Sequence, residues 1–187
     1  MRVFIAIELE NNLKDYIFQN QQIVKTNSIK GNFSRKENFH LTLRFIGEAN
    51  SKEIEDLKYT IDKTTGGFSS FELELGKLGY FQRKSKKIIW LGIGKGQQIL
   101  RELFDIIEDN LEKLGFEREI RGLNPHITLA REVILDKDFN HVSKEVKIEK
   151  RIIPVNGISL MESTRVEGRL TYRPIYTKNF KASNRTI

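Results

Sequence analysis

The chain has 187 residues, and its hydrophobic and aromatic fractions, 39% and 10%, are large enough to bury a core and so exclude a globally disordered protein. Its 32 basic residues outnumber 25 acidic ones, a net charge of +7 that favours anionic partners such as nucleic acid or phosphate esters, although an ordinary solvated surface accounts for the same balance. The absence of cysteine excludes disulfides, thiolate metal sites and cysteine nucleophiles.

The N-terminal stretch MRVFIAIELENN turns polar too soon for a signal peptide. No later apolar run reaches the length of a membrane span. We therefore expect a soluble, cytoplasmic protein with no membrane association. Nothing in the sequence demands more than a monomer.

Hydrophobic periodicity predicts the elements of the first half of the chain. β-branched and aromatic residues indicate strands, and apolar side chains at helical spacing indicate helices. Asn50 and Glu53 form a capping-box pattern at the start of the second helix. The prediction is a strand at 1–9, a helix at 10–25, a strand at 38–46, and a helix from Asn50 to the Gly66-Gly67 pair.

The second half of the chain continues with a similar alternation of strands and helices. The prediction, in order, is a strand at 68–75, a Gly- and Lys-rich loop around 76–87, a strand at 86–94, a helix at 97–114 ending at Gly115, a strand at 124–133, a short helix at 136–147, and closing strands at 151–163 and 170–180. No linker or low-complexity segment divides the chain. We therefore expect one domain, residues 1–187, built from two related α+β units.

Two of the three histidines open a repeated motif, HLTL at 40–43 and HITL at 126–129. Because alternate side chains of a strand face opposite sides, each histidine shares a face with the threonine two residues later, and the apolar residues face a core. A lone histidine on such a strand is usually a half-exposed sheet position. Two matching copies instead suggest that the His/Thr faces of two units meet across a groove.

Such a pair suits attack at the phosphorus of a phosphodiester. The displacement is in-line, so a base is needed on one side and an acid on the other. Imidazole serves both roles near neutral pH, since its ordinary pKa is about 6.5. The threonine hydroxyls can donate hydrogen bonds to the phosphate oxygens. The symmetric pattern does not by itself say which histidine is acid and which is base.

The paired motifs resemble the H-x-T-x motifs of the two-histidine phosphoesterases. Within that superfamily the chain is most similar to the bacterial and archaeal RNA 2′,3′-cyclic phosphodiesterases, once called 2′-5′ RNA ligases. Similar segments span nearly the whole chain: MRVFIAIEL, ENFHLTLRFIGE, KKIIWLGI, GFEREIRGLNPHITLARE and SLMESTRVEGRLTYRPIYT. One H-x-T-x is a weak signal, whereas two in this setting are specific.

The resemblance implies a bilobal α+β fold, with two pseudo-symmetric antiparallel sheets flanked by helices around a central cleft. It also implies metal-independent hydrolysis of RNA 2′,3′-cyclic phosphate ends to 2′-phosphates, with no cofactor. Reverse ligation through a 2′-5′ bond is implied as a minor activity. The expected partners are RNA ends bearing a 2′,3′-cyclic phosphate, or small cyclic nucleotides.

The resemblance also implies roles for five residues. His40 corresponds to the proton donor and His126 to the proton acceptor, and Thr42, Thr128 and Arg131 correspond to phosphate ligands. Strict alternation places Arg131 on the apolar face of its strand, so it reaches the phosphate only if the strand ends, twists or bulges there.

Four further residues are candidate substrate contacts. Arg44 lies on the His/Thr face by strand parity, where a solvated arginine is the simpler interpretation. Phe45 could stack on a base, but its parity favours the core. Tyr80 and Phe81 lie in the Lys-rich loop, which could guide an RNA backbone or could be an ordinary charged loop. Trp90, in an apolar strand, is interpreted as core.

Three other functions remain as alternatives. One is a phosphodiesterase acting on another cyclic or 2′-5′-linked nucleotide. Another is a non-catalytic protein that binds RNA ends, which would not need both histidines, both threonines and Arg131. The last is a metallohydrolase, which the sequence disfavours because it has no H-x-H, H-E-x-x-H or carboxylate–histidine cluster, so we expect no metal site.

Overall fold

A computed structural model of the chain describes residues 1–182. Its strands are β1 (Arg2–Glu8), β2 (Ser28–Phe33), β3 (His40–Glu48), β4 (Phe71–Arg83), β5 (Lys86–Ile93), β6 (His126–Leu135), β7 (Ile152–Val155), β8 (Gly157–Val166) and β9 (Arg169–Asn179). Its helices are α1 (Asn11–Thr26), α2 (Ser51–Gly67), α3 (Gln97–Glu112) and α4 (Phe139–Glu145), and a 3-10 turn at Lys36–Asn38 precedes β3.

Two antiparallel sheets form the body of the protein. A four-stranded sheet has the order β3-β1-β8-β9, and a five-stranded sheet has the order β2-β6-β5-β4-β7. Across each sheet, three further strands lie beside the histidine strand, β3 or β6, and each is antiparallel to its neighbour. β2 is an additional edge strand on the other side of β6. The two histidine strands lie against each other. The prediction of an α+β fold with two related antiparallel sheets is confirmed.

The helices are exchanged between the sheets. α1 follows β1 of the four-stranded sheet but packs against β2 and α4, on the five-stranded side. α3 follows β5 of the five-stranded sheet but packs against α2, which covers β8 and β9 of the other sheet. We call the four-stranded sheet with α2 and α3 the first lobe, and the five-stranded sheet with α1 and α4 the second lobe. The two units are therefore interleaved along the chain rather than consecutive.

One hydrophobic core joins the two lobes. It contains the apolar residues of both histidine motifs, Leu41, Leu43, Ile127 and Leu129, each less than 5% exposed. Burial of these alternate side chains is what holds the opposite face of each strand toward the groove. Within residues 1–182, no helix is long and apolar enough to cross a membrane.

Three element predictions differ from the structure. β2 was not predicted, because its sequence SIKGNF has only two large apolar residues and none of its positions is fully buried. The predicted loop at 76–87 is the end of β4 and its hairpin to β5. Gly79 pairs with Trp90 on β5, and a Cβ at this position would lie 2.2 Å from the Trp90 ring, which explains why the strand has a glycine here. The predicted strand 151–163 is two strands, because the chain leaves one sheet for the other at Asn156.

The predicted helix ends were largely correct. Asn50 and Glu53 form a capping box at the start of α2, each side chain bonded to the other's backbone. α3 ends at Glu112, and Gly115 then takes a φ of +89°, a conformation that glycine adopts without a steric cost.

Candidate active site

His40 and His126 are held in the same way at the first positions of β3 and β6. In each ring Nδ1 lies 2.7 Å from the backbone carbonyl two residues earlier, that of Asn38 or Asn124. Since a carbonyl oxygen can only accept, Nδ1 of each ring carries a proton and donates it. This leaves Nε2 of both neutral rings as the atom able to accept a proton.

Asn38 also anchors the approach to His40. Its amide donates to the carbonyl oxygen of Leu170 at 2.9 Å and accepts from the backbone N–H of Tyr172 at 3.1 Å. The carbonyl that orients the His40 ring is thus tied to β9, the strand on the far side of the same sheet. We infer that this backbone position is rigid before any substrate arrives.

Aromatic rings support both imidazoles. The His40 ring lies 4.8 Å from Phe4 and 5.1 Å, edge-on, from Tyr172. The His126 ring lies 5.0 Å, edge-on, from Phe81 and 6.1 Å from Trp90. These contacts restrict each ring to one orientation, which is the preorganisation that proton transfer requires.

Burial lowers the pKa of both histidines. Desolvation is the largest cause for each, and it takes the pKa of His40 from 6.5 to about 4. The pKa of His126 is lowered too, and the positive charge of Arg131 contributes to the shift at both rings. A hydrogen bond to Asn38 or Asn124 opposes the shift at each ring. Without an anion in the groove, His40 is therefore neutral at pH 7.

The two halves differ at the threonines. Thr42 Oγ1 lies 2.9 Å from Nε2 of His40, where its hydroxyl donates to the neutral ring. Thr128 has no such contact with His126 among the described residues. A hydroxyl has one proton, so Thr42 can donate to a phosphate oxygen only after it releases the His40 nitrogen. The first half of the site is thus internally satisfied, and the second half is open.

A bulge lies at the last position of the motif in both histidine strands. In β3, Thr42 pairs with Ala6 and Arg44 with Ile5, so Leu43 has no partner. A residue without a partner shifts the alternation by one, so that the side chain two positions after the bulge turns to the groove. In β6 the pairs Thr128–Trp90 and Ala130–Ile89 leave out Leu129 in the same way.

The bulges decide where the candidate residues lie. Arg131 lines the groove, which resolves the parity conflict. Phe45 also lines the groove and is 48% exposed, so its interpretation as core was wrong. Arg44, which parity placed on the His/Thr face, instead turns to α3, and its Nε lies 2.7 Å from a carboxylate oxygen of the fully buried Glu108. Strict alternation without the bulges would place each of these three residues on the opposite face of its strand.

The groove is a cavity of about 610 Å³ between the lobes. Both histidines, both motif threonines and three arginines, Arg2, Arg131 and Arg165, line it. Within the described part of the chain, none of its lining residues is acidic. A cavity with only positive charges attracts anions and stabilises negative charge on them.

A side chain of α1 supports the bulge of β6. Nε2 of Gln21, which is 1% exposed, donates to the carbonyl oxygens of Leu129 at 2.7 Å and Ser34 at 2.8 Å. The Ser34 hydroxyl donates to the Thr128 carbonyl at 3.0 Å, and the Ser34 N–H donates to that of Leu129 at 2.8 Å. The carbonyls on either side of the bulge are therefore both hydrogen-bonded, which stabilises the bulged backbone.

A side chain of α3 supports the bulge of β3. Besides its ion pair with Arg44, Glu108 accepts a hydrogen bond from the backbone N–H of Glu119 at 2.7 Å. Arg44 also donates to the carbonyl oxygens of Phe45 and Glu117. Glu117 and Glu119 lie in the segment that leads to His126, so this cluster connects one histidine strand to the lead-in of the other.

The two remaining candidates separate across β4. Phe81 faces the groove side and packs against His126. Tyr80 faces the opposite side, where its ring lies 4.5 Å from Phe139 and 4.6 Å from Lys87 Nζ, beside a second cavity of about 420 Å³. Neighbouring residues of a strand point to opposite faces, so Tyr80 does not contact a ligand in the groove.

Several site residues were missed by sequence reasoning. Trp90 was interpreted as core but lies beside His126, and Phe4 and Tyr172 hold the His40 ring. Aromatic residues inside strands give the same pattern whether they pack in a core or line a groove. Arg2 and Ser34 lie at positions that no motif marks. Among residues 1–182, no group of three or more His, Asp or Glu side chains is arranged to hold a metal ion.

Comparison with known proteins places these features in a family. The model described as LigT like Phosphoesterase matches residues 7–90 and 92–172. A relative from Aeropyrum pernix, named RNA 2',3'-cyclic phosphodiesterase, is 31% identical over 157 residues, covering 80% of this chain and 86% of that protein. A relative of the same name from Thermotoga maritima is 25% identical over 182 residues, covering 97% of this chain and 96% of that protein.

The fold comparison agrees. The crystal structure of E. coli LigT complexed with 3'-AMP has a TM-score of 0.76 to this chain at 23% sequence identity, covering 96% of this chain and 97% of that one. The family match spans both histidine motifs and most of the strands that hold them. The chain belongs to the LigT-like phosphoesterase family.

Proposed function

We propose that the protein hydrolyses RNA 2′,3′-cyclic phosphate ends to 2′-phosphates, with His40 and His126 as the acid–base pair and no metal or cofactor in the reaction. The observation that carries the proposal is a single cavity into which two lobes bring two imidazoles, each with Nδ1 committed to a carbonyl. The names of the Aeropyrum and Thermotoga relatives support the substrate class.

The reaction is an in-line displacement at phosphorus. His126 takes a proton from water through Nε2, and the water oxygen forms a bond to phosphorus. The bond from phosphorus to O3′ breaks, and His40 gives a proton to O3′. The product is a 2′-phosphate monoester with a free 3′-hydroxyl. The strained five-membered ring of the substrate opens in this step, which contributes to the driving force.

The surrounding residues hold the phosphate between the two histidines. Thr42, Thr128 and Arg131 donate to its non-bridging oxygens, where negative charge accumulates in the transition state. The charge of the bound phosphodiester raises the pKa of His40, which lets that ring hold the proton it must give. Phe45, exposed in the same cavity, offers a face on which the terminal base stacks.

The assignment of acid to His40 follows the family resemblance, and the asymmetry of the site supports it. The Thr42 hydroxyl stays within reach of Nε2 of His40 and can accept from the protonated ring until O3′ needs the proton. His126 has no such partner among the described residues, which leaves its Nε2 open to water. A ribose 5′-hydroxyl in place of that water would give a 2′-5′ bond, so we also propose ligation as a minor activity.

The cavity is complete within one chain, since both lobes that line it belong to the same molecule. We therefore propose that the monomer is the active form. A protein that merely binds RNA ends would use the same positive cavity, but it would not need two oriented imidazoles. The following experiment distinguishes hydrolysis of RNA ends from action on another cyclic or 2′-5′-linked nucleotide.

Product mapping on a short RNA with a 2′,3′-cyclic phosphate end, in the presence of EDTA, tests the proposal. We expect turnover to a 2′-phosphate, distinguished from a 3′-phosphate by its resistance to a 3′-specific phosphatase. A 3′-phosphate product would reverse which oxygen leaves and overturn the orientation given above. Binding without turnover would favour the non-catalytic alternative, and a requirement for added metal would contradict the mechanism.

A further inference from the structure

Three arginines line the cavity, and none of them is neutralised. Within residues 1–182, Arg2, Arg131 and Arg165 form no ion pair, whereas Arg35, Arg44, Arg118, Arg121, Arg151 and Arg173 do. Arg131 accounts for one phosphate, since its charge acts on both histidines. Arg2 and Arg165 therefore supply more positive charge than a single cyclic phosphate requires.

Arg2 lies farther along the cavity than the histidines. Arg2 and Phe4 share a face of β1, and Phe4 is the ring that contacts His40. Two residues of a strand span about 7 Å, so the backbone of Arg2 lies about 7 Å along the cavity from that of Phe4, the residue in contact with the imidazole. Its guanidinium carbon lies over the Phe45 ring, 5.1 Å from the ring centre, which places the charge directly against the ring proposed to stack on the base.

Arg165 reaches the same part of the cavity from β8. Ser163 pairs with Tyr172, which contacts His40, and Arg165 pairs with Leu170 one two-residue step farther out. Leu170 is 42% exposed and lines the cavity with Arg165. Arg165 donates one hydrogen bond to the carbonyl oxygen of Gly168, which ties its side chain to the hairpin.

We infer that Arg2 and Arg165 form a second anion subsite, which binds the phosphate on the 5′ side of the terminal nucleotide. The inference rests on the proposed function, because it requires the cyclic phosphate to lie at the histidines. The terminal nucleoside then lies on Phe45 and Leu170, and its 5′ oxygen points to the two arginines. The phosphorus atoms on the 3′ and 5′ sides of one ribose are separated by a distance of the order of one two-residue strand step, about 7 Å.

The consequence is selectivity for chain ends over free nucleotides. A nucleoside 2′,3′-cyclic phosphate with a 5′-hydroxyl carries no charge for the second subsite. An RNA end, or a 5′-phosphorylated nucleotide, carries one. Because both guanidinium groups are solvent-exposed, the preference should weaken as ionic strength rises.

A matched pair of substrates tests the inference: one nucleoside 2′,3′-cyclic phosphate with a 5′-hydroxyl and the same compound with a 5′-phosphate. We expect kcat/KM to be about 10-fold higher for the phosphorylated substrate, as charge-assisted hydrogen bonds allow. In Arg2→Gln and in Arg165→Gln the ratio should fall toward unity. Arg169→Gln, on the same hairpin but outside the cavity lining, should keep the wild-type ratio.

The outcomes separate the subsite from the proposed function. A wild-type ratio near unity, or a ratio that survives both substitutions, overturns the subsite while turnover of both substrates leaves the function standing. If neither substrate is opened, the proposed function fails. Calorimetry then still tests the subsite by comparing the binding of a nucleoside 2′-phosphate with that of the 2′,5′-bisphosphate. Tighter binding of the bisphosphate, lost in Arg2→Gln, supports the subsite. Equal binding of the two compounds overturns it.

Discussion

Leu43 and Leu129 occupy equivalent positions in the two lobes, each three residues after a histidine and each left out of the pairing between its strand and the next. Both side chains remain in the core, at 4% and 0% exposure. What the two bulges change is the direction of the following residues, which brings Phe45 into one wall of the groove and Arg131 into the other. The two motif histidines are thus placed alike, and the residues that follow them in the groove walls are not.

Replacement of either motif histidine should nearly abolish activity. We expect His40→Ala and His126→Ala each to lower kcat/KM on a cyclic-phosphate RNA by about 10²–10⁴-fold, since each removes one partner of an acid–base pair. The double variant should be little worse than either single one, because the pair acts as a unit. His141→Ala, an exposed histidine outside the groove, is the control and should keep full activity. Substantial turnover by either motif variant would contradict the mechanism.

The pH dependence of kcat/KM should have an acidic maximum. The rate rises as the proton acceptor loses its proton and falls as the donor loses its own. In the free protein the pKa of His40 is about 4 and that of His126 is below its ordinary 6.5. We therefore expect a bell-shaped profile of kcat/KM against pH, with its maximum between these two pKa values. Initial rates on a short cyclic-phosphate RNA measure it, and a maximum above neutral pH would refute the prediction.

Arg131 provides a second test of the same profile. Its positive charge lowers the pKa of both histidines. In Arg131→Gln both limbs of the bell should therefore move to higher pH, in addition to a loss of rate from the missing phosphate contact. Arg83→Gln, an exposed arginine near the β4–β5 turn, should leave the limbs in place. Limbs at the same pH in Arg131→Gln as in the wild type would mean that its charge does not act on the histidines.

The buried His40 should make the protein less stable in acid. Its folded pKa of about 4 lies below the unfolded value of 6.5, so the stabilising contribution is present above pH 6.5 and is lost as pH falls toward 4. The full effect is about 3 kcal/mol. Urea unfolding at pH 7.5 and at about pH 4.5 should show a smaller acid loss for His40→Gln than for the wild type, and equal losses would contradict the prediction.

Gln21 should act on the site from a distance. Gln21→Met removes the side-chain donor from the carbonyls of Leu129 and Ser34, and we expect the free energy of unfolding to fall by about 1–3 kcal/mol. The β6 bulge should loosen, so kcat/KM should also fall, and the loss should not add to that of Arg131→Gln in a double-mutant cycle. Gln19→Met, an exposed glutamine of the same helix, is the matched control. Full additivity would limit Gln21 to a structural role.

The ion pair between Arg44 and Glu108 should contribute more to the free energy of unfolding than a surface ion pair does. Glu108 is fully buried, so Glu108→Gln leaves the Arg44 charge without a counter-ion and should cost about 3 kcal/mol in unfolding experiments. Glu112→Gln, on the exposed side of the same helix, should cost little. Removal of both charges in Arg44→Met with Glu108→Leu should recover part of the loss, and no recovery would mean that the hydrogen bonds to Glu117 and Glu119 dominate.

Much of the fold could be predicted because its signals are local. β-branched runs marked most strands, helical spacing marked the helices, and the Asn50–Glu53 pair marked a helix start. The motif histidines could be found because two of only three histidines share one pattern. β2 could not be found, because an edge strand with few buried residues has no apolar period to detect.

The walls of the groove could not be predicted, for a different reason. A bulge at Leu43 or Leu129 carries no glycine or proline signal, and it reverses the face of the residues that follow it, up to the next register shift. Parity therefore placed Arg44 in the site and Phe45 in the core, the opposite of where they lie. Trp90 and Tyr172 come to the histidines by cross-strand pairing, which depends on strand order rather than on local sequence.

The exchange of α1 and α3 between the lobes also constrains how this protein can evolve. Each helix is encoded beside the strand it follows, yet its buried polar residue, Gln21 or Glu108, supports the histidine strand that is encoded in the other half of the chain. A crossover with a distant relative between the two motifs would therefore join each histidine strand to a helix selected for a different partner. Substitutions at the bulge of one half should be tolerated only with matching changes in the helix of the other half.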